Sequence, residues 1–158
     1  MLFGTGTGQN DLSYVPETMF QELLSDIEEE KWKDQDLIDL ATLLSTDPRR
    51  QVRLLIPRLL GSLEAVQSFE QIEPLLKELA EDQDPILRDA VERSLAHNLE
   101  RLNGLTQARV VAEWALSENP MVRLLLARAL ANGVHALGAD TAIEYLSYDL
   151  NGNIRAIA

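Results

Sequence analysis

The stretch "NPMVRLLLARALANGV", from Asn119 to Val134, decides the fold of this chain. From Val122 to Asn132, every residue except two arginines and the closing asparagine is Leu, Ala or Val. An amphipathic surface helix has one apolar stripe and one polar face, whereas this segment is apolar on nearly every side. A helix of this composition has to be covered from several directions, so the rest of the chain should supply neighbouring helices.

Similar segments recur along the chain. "DPILRDAVERSL" begins at Asp84 and "NGNIRAIA" begins at Asn151. "DPRRQVRLLIPRLL", from Asp47, is a looser copy that aligns with two extra residues in its turn. The arginines that follow the four turns are separated by 35, 35 and 32 residues: Arg53, Arg88, Arg123 and Arg155. A period of this length indicates a stack of similar structural units.

Each copy has the pattern of a helix, a turn and a second helix. Asp84 or Asn119 followed by proline is typical of an N-cap with proline in the first helical position. The segments ahead of these turns have apolar residues at three- and four-residue spacing, and none shows the two-residue alternation of a strand. The fold class is therefore all-α, and Pro57 predicts a bend in the third helix. The predicted helices are approximately 17–30, 35–45, 50–64, 69–82, 86–102, 106–117, 120–132, 139–148 and from 153 onward.

The turn residues carry a resemblance to a known family. "DPILR" from Asp84 and "NPMVR" from Asn119 match an Asp-Pro-x-Val-Arg turn that leads into an Ala/Leu-rich helix. In this respect residues 35–158 resemble the HEAT-repeat family, particularly the short bacterial HEAT-like repeats. The resemblance implies a right-handed α-α superhelix, an armadillo-like solenoid of about four helical hairpins.

The domain organisation follows from this resemblance. The hairpins are expected at 35–66, 69–103, 105–137 and 139–158, of which the last is incomplete. An acidic N-terminal helix over 17–33 would precede them, so that 17–158 forms a single solenoid domain behind a flexible tail over 1–16. "GTGTG" in that tail has neither the preceding strand nor the following helix of a phosphate-binding loop.

The composition limits which partners and cofactors are to be expected. The formal net charge is −12, and residues 1–46 contribute −8 of it. Binding to nucleic acid requires a basic surface, so we expect no nucleic-acid partner. No apolar run approaches the roughly 18 residues of a membrane span, and no secretion signal is recognisable at the N-terminus. We therefore expect a cytoplasmic protein with no membrane partner. With no cysteine and two histidines, we expect no metal and no cofactor.

Four residues are predicted to shape the turns. Asp84 and Asn119 would cap the second helices. Arg88 and Arg123, in the first turn of each helix, would bond backbone or side-chain acceptors of their own or the adjacent turn. Their role would be structural.

A second arginine follows five residues after each turn arginine in three copies: Arg58, Arg93 and Arg128. In HEAT-like arrays the second helices line the concave surface, so these arginines, with His97 and His135, would form a row along a groove. Such a row suits carboxylates, and it predicts binding of an acidic or extended segment of another protein. The alternative is internal: the arginines could pair with glutamates such as Glu92 and merely tie helices together.

No catalytic constellation can be assembled from the residues. Trp114 takes a core position of the repeat, and Tyr145 and Tyr148 are expected to be partly exposed with no base nearby. We therefore predict a non-catalytic interaction module or scaffold that presents a concave groove. The alternative is a HEAT-like enzyme subunit, similar to the bilin lyases or the DNA alkylation-repeat glycosylases, which would rest on fold analogy alone.

The C-terminal segment contains a further expectation. The helix that begins at 153 stops about eight residues short of its counterpart in the preceding copy, and a solenoid needs a polar cap over its last apolar face. The chain would then be a fragment of a longer protein, or another copy would cover this end. Either case predicts weak self-association through residues 124–158.

Overall fold

The computed structural model describes residues 15–30, 32–63 and 69–158, which are helical and contain no strand. Contacts between helices divide the chain into two compact units, each described by itself below. The first unit holds α1 (Glu17–Glu30), α2 (Asp34–Ser45), α3 (Arg50–Arg53) and α4 (Ile56–Gly61). The second holds α5 (Phe69–Leu79), α6 (Pro85–Leu99), α7 (Gly104–Ala115), α8 (Pro120–Ala131), α9 (Ala139–Leu146) and α10 (Gly152–Ile157).

In the first unit, α2 packs against both α3 and α4, and α1 packs against α3. The sequence predicted a single bent helix over 50–64, whereas the structure has two short helices separated at Leu54 and Leu55. Pro57 lies in the first turn of α4, where its missing N–H leaves no helical bond unmade. Val15 belongs to the packed region, because its side chain is buried and its carbonyl accepts a hydrogen bond from Arg49 Nη1. The predicted tail at 1–14 lies outside the described residues.

In the second unit, α8 lies among four other helices. It packs against α6, α7, α9 and α10, so it is covered in several directions. Leu125, Leu126 and Ala129 are each at most 1% exposed. This arrangement accounts for the nearly all-apolar composition of the "NPMVRLLLARALANGV" segment, because a helix with neighbours on most sides needs no wide polar face. Trp114 of α7 is fully buried in the same core, as its position in the repeat predicted.

The turns before α3, α6, α8 and α10 share one hydrogen bond. In each, an arginine Nη1 atom donates to the backbone carbonyl oxygen six residues earlier. The pairs are Arg53 with Asp47 at 3.0 Å, Arg88 with Asp82 at 2.7 Å, Arg123 with Ser117 at 2.7 Å and Arg155 with Asp149 at 2.5 Å. The arginine thus closes the turn by satisfying a carbonyl that no helix reaches. This common bond explains why the sequence repeats an arginine at this position.

Side-chain caps complete three of these turns. Asp84, Asn119 and Asn151 each accept a hydrogen bond from the backbone N–H two residues later, at 2.9–3.0 Å. An N-cap of this kind satisfies one of the donors that the start of a helix leaves free. The replacement of Asp by Asn in the later copies therefore preserves the capping bond.

The turn geometry corrects the alignment of the first copy. Asp47 supplies the carbonyl for Arg53, so it corresponds to Asp82 and not to the cap residue Asp84. The N-cap of α3 is Arg49, whose side chain makes no capping bond. No two-residue insertion is present, and the prediction of one was wrong. The mistake arose because both Asp47 and Asp84 precede a proline.

The described residues contain no helix that is both long and apolar enough to cross a membrane.

Candidate functional site

Arg58, which was predicted to line a groove, forms an ion pair with an acidic residue of its own unit. Arg58 of α4 donates from Nε and Nη2 to Glu28 Oε1 of α1, at 3.0 Å and 2.6 Å. Both side chains are nearly half exposed, so water screens the pair and its contribution to stability is small. The bond nevertheless commits one edge of the Arg58 guanidinium group to the protein itself.

Arg128 of α8 is likewise engaged by acids. Its Nε lies 3.1 Å from Glu92 Oε2, and its Nη2 lies 3.5 Å from Asp89 Oδ1, both on α6. Glu92 is only 9% exposed and also accepts a hydrogen bond of 2.8 Å from Asn132 Nδ2. Glu92 therefore links α6 to α8 through two partners. This is the internal pairing that the sequence left open as the alternative to an anion-binding row.

Three further predicted groove residues are exposed. Arg93 has no ion pair among the described residues, and His97 contributes its backbone carbonyl to a bond of 2.7 Å from Arg101. His135 donates its backbone N–H to Glu100 at 3.4 Å, and its side chain lines an open cavity of about 750 Å³ together with residues of the α8–α9 loop and of α9. Of the three arginines, Arg93 alone keeps a guanidinium group without a described acidic partner.

The turn before α10 contains a largely buried ion pair. Arg123 donates from Nε and Nη2 to the two carboxylate oxygens of Asp149, at 2.8 Å and 3.2 Å. The Asp149 side chain is 5% exposed and that of Arg123 is 17% exposed. The hydrogen bonds from Arg123 hold the pKa of Asp149 below its ordinary value, and the backbone N–H of Asn151 acts in the same direction. Arg123 thus joins the turn before α8 to the turn before α10.

A cleft of about 340 Å³ lies above this ion pair. Ser117, Arg123 and Asp149 line it, and we call the largely buried charged pair, Arg123 and Asp149, its floor. Its rim is formed by Tyr145, Tyr148 and Leu150, which are 53%, 81% and 98% exposed. Single exposed apolar side chains are common, but several exposed ones grouped around one cleft often mark an interaction site. We call this cleft, with its rim of two tyrosines and a leucine, the tyrosine cleft.

The sequence contained a signal for this cleft that the search for charged motifs missed. Tyr145, Tyr148 and Leu150 precede Arg155 by ten, seven and five residues. The same positions before Arg123 hold Glu113, Leu116 and Glu118, and those before Arg88 hold Glu78, Glu81 and Gln83. Polar or acidic residues hold five of these six positions in the two preceding copies, whereas the last copy has two tyrosines and a leucine. A comparison of exposed positions between copies, rather than of core positions, would have found the change.

The charged groups of the cleft already have partners within the protein. Arg123 and Asp149, the two charged residues that line the cleft, are paired with each other. Within the described ranges, no cluster of three or more His, Cys, Asp or Glu residues is arranged to hold a metal ion. The cleft therefore offers aromatic and aliphatic surface around a polar floor whose hydrogen bonds are already made.

Comparison with protein-family models, with curated proteins and with solved structures finds no match for this chain.

Proposed function

We propose that this chain is a non-catalytic interaction module, built on HEAT-like helical repeats, that binds another protein through the tyrosine cleft. The observation that carries the proposal is the exposure of Tyr145, Tyr148 and Leu150 around one cleft. Tyrosine is enriched at protein interfaces because it combines a large contact area with a polar hydroxyl group and few rotatable bonds.

The scaffold beneath these residues supports the same role. Arg123 links the turn before α8 to the turn before α10, and the cap of Asn151 orders the start of α10. The cleft is therefore built on bonded turns, and binding would order few additional groups. A contact surface that is formed in advance loses less conformational entropy on association.

The arginine row remains a weaker candidate for the contact. Arg58 and Arg128 are engaged by acids of the protein itself, so a carboxylate ligand would have to compete with existing pairs. Arg93 is the remaining exposed guanidinium, and His97 lies one helical turn after it on α6. An isolated exposed arginine contributes little affinity by itself.

An enzymatic function has no comparable observation in its favour. The pKa values of Asp47 and Asp149 are both held below the ordinary value, in each case chiefly by hydrogen bonds from an arginine. A carboxylate held in its charged form by a turn arginine supports the turn. Catalytic carboxyl groups that act as acids or bases near neutral pH instead have raised pKa values.

Affinity capture tests the proposal. Immobilised wild-type chain would be compared with a variant that carries Tyr145→Ser, Tyr148→Ser and Leu150→Ser. The matched control carries Ile86→Ser and Leu105→Ser, which replace exposed apolar residues elsewhere on the second unit. Captured proteins would be quantified by mass spectrometry, and the leading one would be purified and titrated against all three chains by calorimetry.

We expect one purified partner to bind the wild type and the control alike and to lose affinity for the cleft variant at least tenfold. Both variants should melt within a few degrees of the wild type, because the replaced side chains are largely exposed. If the partner binds the cleft variant as tightly as the wild type but loses affinity for Arg93→Ala, the contact is the α6 surface and the cleft assignment is wrong. If no captured protein binds directly, the interaction function itself is wrong.

A further inference from the structure

We infer that the tyrosine cleft takes a cationic segment of its partner, one that combines lysine or arginine with aromatic or leucine side chains. This inference rests on the proposed function and adds the sign of the partner's charge. That sign is opposite to the one that the arginine row predicted from the sequence.

The floor of the cleft has no free cation to offer to an acidic ligand. Arg123 uses Nε and Nη2 for Asp149 and Nη1 for the carbonyl of Ser117. Arg155, which does not line the cleft, is exposed and directs Nη1 to the carbonyl of Asp149. A carboxylate entering the cleft would therefore have to displace existing bonds or lie beside the buried Asp149. Either route carries an electrostatic cost that a cationic ligand avoids.

The surroundings of the rim are acidic. Glu118 and Glu144 do not line the cleft, but each is the chain neighbour of a residue that does, Ser117 and Tyr145 respectively. Both are exposed, and neither side chain has a hydrogen bond or ion pair among the described residues. Arg109, the basic residue of the neighbouring α7, lies 2.9 Å from Glu113 and 3.8 Å from Glu73. The carboxylates of Glu118 and Glu144 are thus available to an incoming ammonium or guanidinium group.

The charge of the whole unit acts in the same direction. Residues 69–158 contain fourteen acidic and eight basic side chains, which gives a net charge of −6. A field of this sign accelerates the approach of a cationic segment and slows that of an acidic one. The exposed faces of Tyr145 and Tyr148 add a local attraction, because a cation is favoured over the face of an aromatic ring.

Selection of peptides that bind the whole chain tests the sign of the partner's charge without assuming a particular partner. A random peptide library displayed on phage would be panned on the wild type, with the variant Tyr145→Ser, Tyr148→Ser, Leu150→Ser present in solution as competitor. We expect the enriched sequences to combine Lys or Arg with Tyr, Phe, Trp or Leu and to be poor in Asp and Glu. Enrichment of acidic sequences, or no enrichment, overturns the inference.

Charge variants of Glu118 and Glu144 then test the two nearby carboxylates with one enriched peptide. Glu118→Gln with Glu144→Gln should lower the affinity of that peptide roughly three- to tenfold, since each exposed ion pair contributes modestly. The control variant combines Glu17→Gln with Glu22→Gln, which replace two exposed acids of α1 and change the net charge by the same amount. The affinity of the wild type should also fall as salt is raised. If both variants lose peptide affinity equally, only the net charge matters, and the role assigned to Glu118 and Glu144 is wrong.

Two outcomes separate this inference from the function beneath it. If the captured partner binds through the cleft but the enriched peptides are uncharged or acidic, the interaction function stands and the cationic inference fails. If the wild type forms dimers in sedimentation experiments and the cleft variant stays monomeric, the occupant is a second copy of the chain, and the inference also fails.

Discussion

The substitution Arg123→Ala tests the turn that supports the cleft. The side chain makes three hydrogen bonds, two to the Asp149 carboxylate and one to the Ser117 carbonyl. Arg88, at the same position of the preceding copy, makes one side-chain bond, to the Asp82 carbonyl. The two arginines therefore share the turn bond and differ in the carboxylate. A comparison of their alanine variants isolates the contribution of Asp149.

The expected magnitudes follow from these bonds. A hydrogen bond to a neutral carbonyl contributes about 1 kcal/mol, and one between charged groups about 1.5–3 kcal/mol. Loss of Arg123 also leaves the enclosed Asp149 carboxylate with only the N–H of Asn151. Because Arg123 keeps 17% of its side chain exposed, solvent offsets part of the loss. We expect the free energy of unfolding to fall by about 3 kcal/mol in Arg123→Ala and by about 1 kcal/mol in Arg88→Ala.

Urea denaturation followed by tryptophan fluorescence measures both values. The chain has two tryptophans, so a Trp32→Phe background leaves the buried Trp114 to report on the second unit. Arg93→Ala, which removes an exposed arginine without an ion pair, is the control and should change the free energy by less than about 0.5 kcal/mol. An Arg123→Ala loss no larger than that of Arg88→Ala would refute the argument, because the carboxylate pair would then contribute nothing.

Three further predictions concern the second unit. Arg128→Ala should lower the free energy of unfolding by about 1 kcal/mol because Glu92 loses an ion-pair partner and keeps only Asn132; a loss no greater than in Arg93→Ala would contradict the internal tie. Asn119→Ala should lower the free energy of unfolding in urea by about 1–2 kcal/mol, because it removes the N-cap of α8 and the exposed bond from Asn119 Nδ2 to Glu81 Oε1. Asn119→Asp should restore only part of this loss, because it keeps the cap but places a second carboxylate beside Glu81; full recovery would show that the Glu81 bond contributes nothing. The folded state depresses the pKa of Asp149, so the stability that this ionised carboxylate contributes is present above its ordinary pKa of 3.8 and is lost as the pH falls through the lower folded value. The difference in free energy of unfolding between wild type and Arg123→Ala should therefore narrow below that pH. A difference that stays constant with pH would show that the ionisation of Asp149 is not coupled to the Arg123 pair.

The helices and turns could be predicted because their determinants are close together in the sequence. Most predicted helix limits lie within about three residues of the observed ones. The cap residues and the turn arginines act on backbone groups two to six positions away, so a short motif contains both partners of each bond. The exception was the first copy, where a proline after Asp47 misaligned the turn by two residues.

The partners of the second arginines could not be predicted in the same way. Arg58 meets Glu28, thirty residues earlier, and Arg128 meets Glu92 on another helix. Several acids lie at equivalent spacings in the sequence, and packing selects which of them comes within reach. The pattern of arginines was therefore compatible with a binding row and with internal ties, and the contacts of the folded chain distinguish the two at Arg58 and Arg128.

The sequence by itself determined that this chain is all-helical, where its second helices begin and which residues cap and close their turns, because these choices depend on local backbone bonds and on apolar spacing. Only the tertiary structure decided which charges are already bound and which apolar side chains stay exposed. Exposure is a property of what the neighbouring elements cover. Tyr145 and Leu146 are adjacent in the chain and both apolar enough for a core, yet one is 53% exposed and the other fully buried, because the helix presents only one of them to its neighbours.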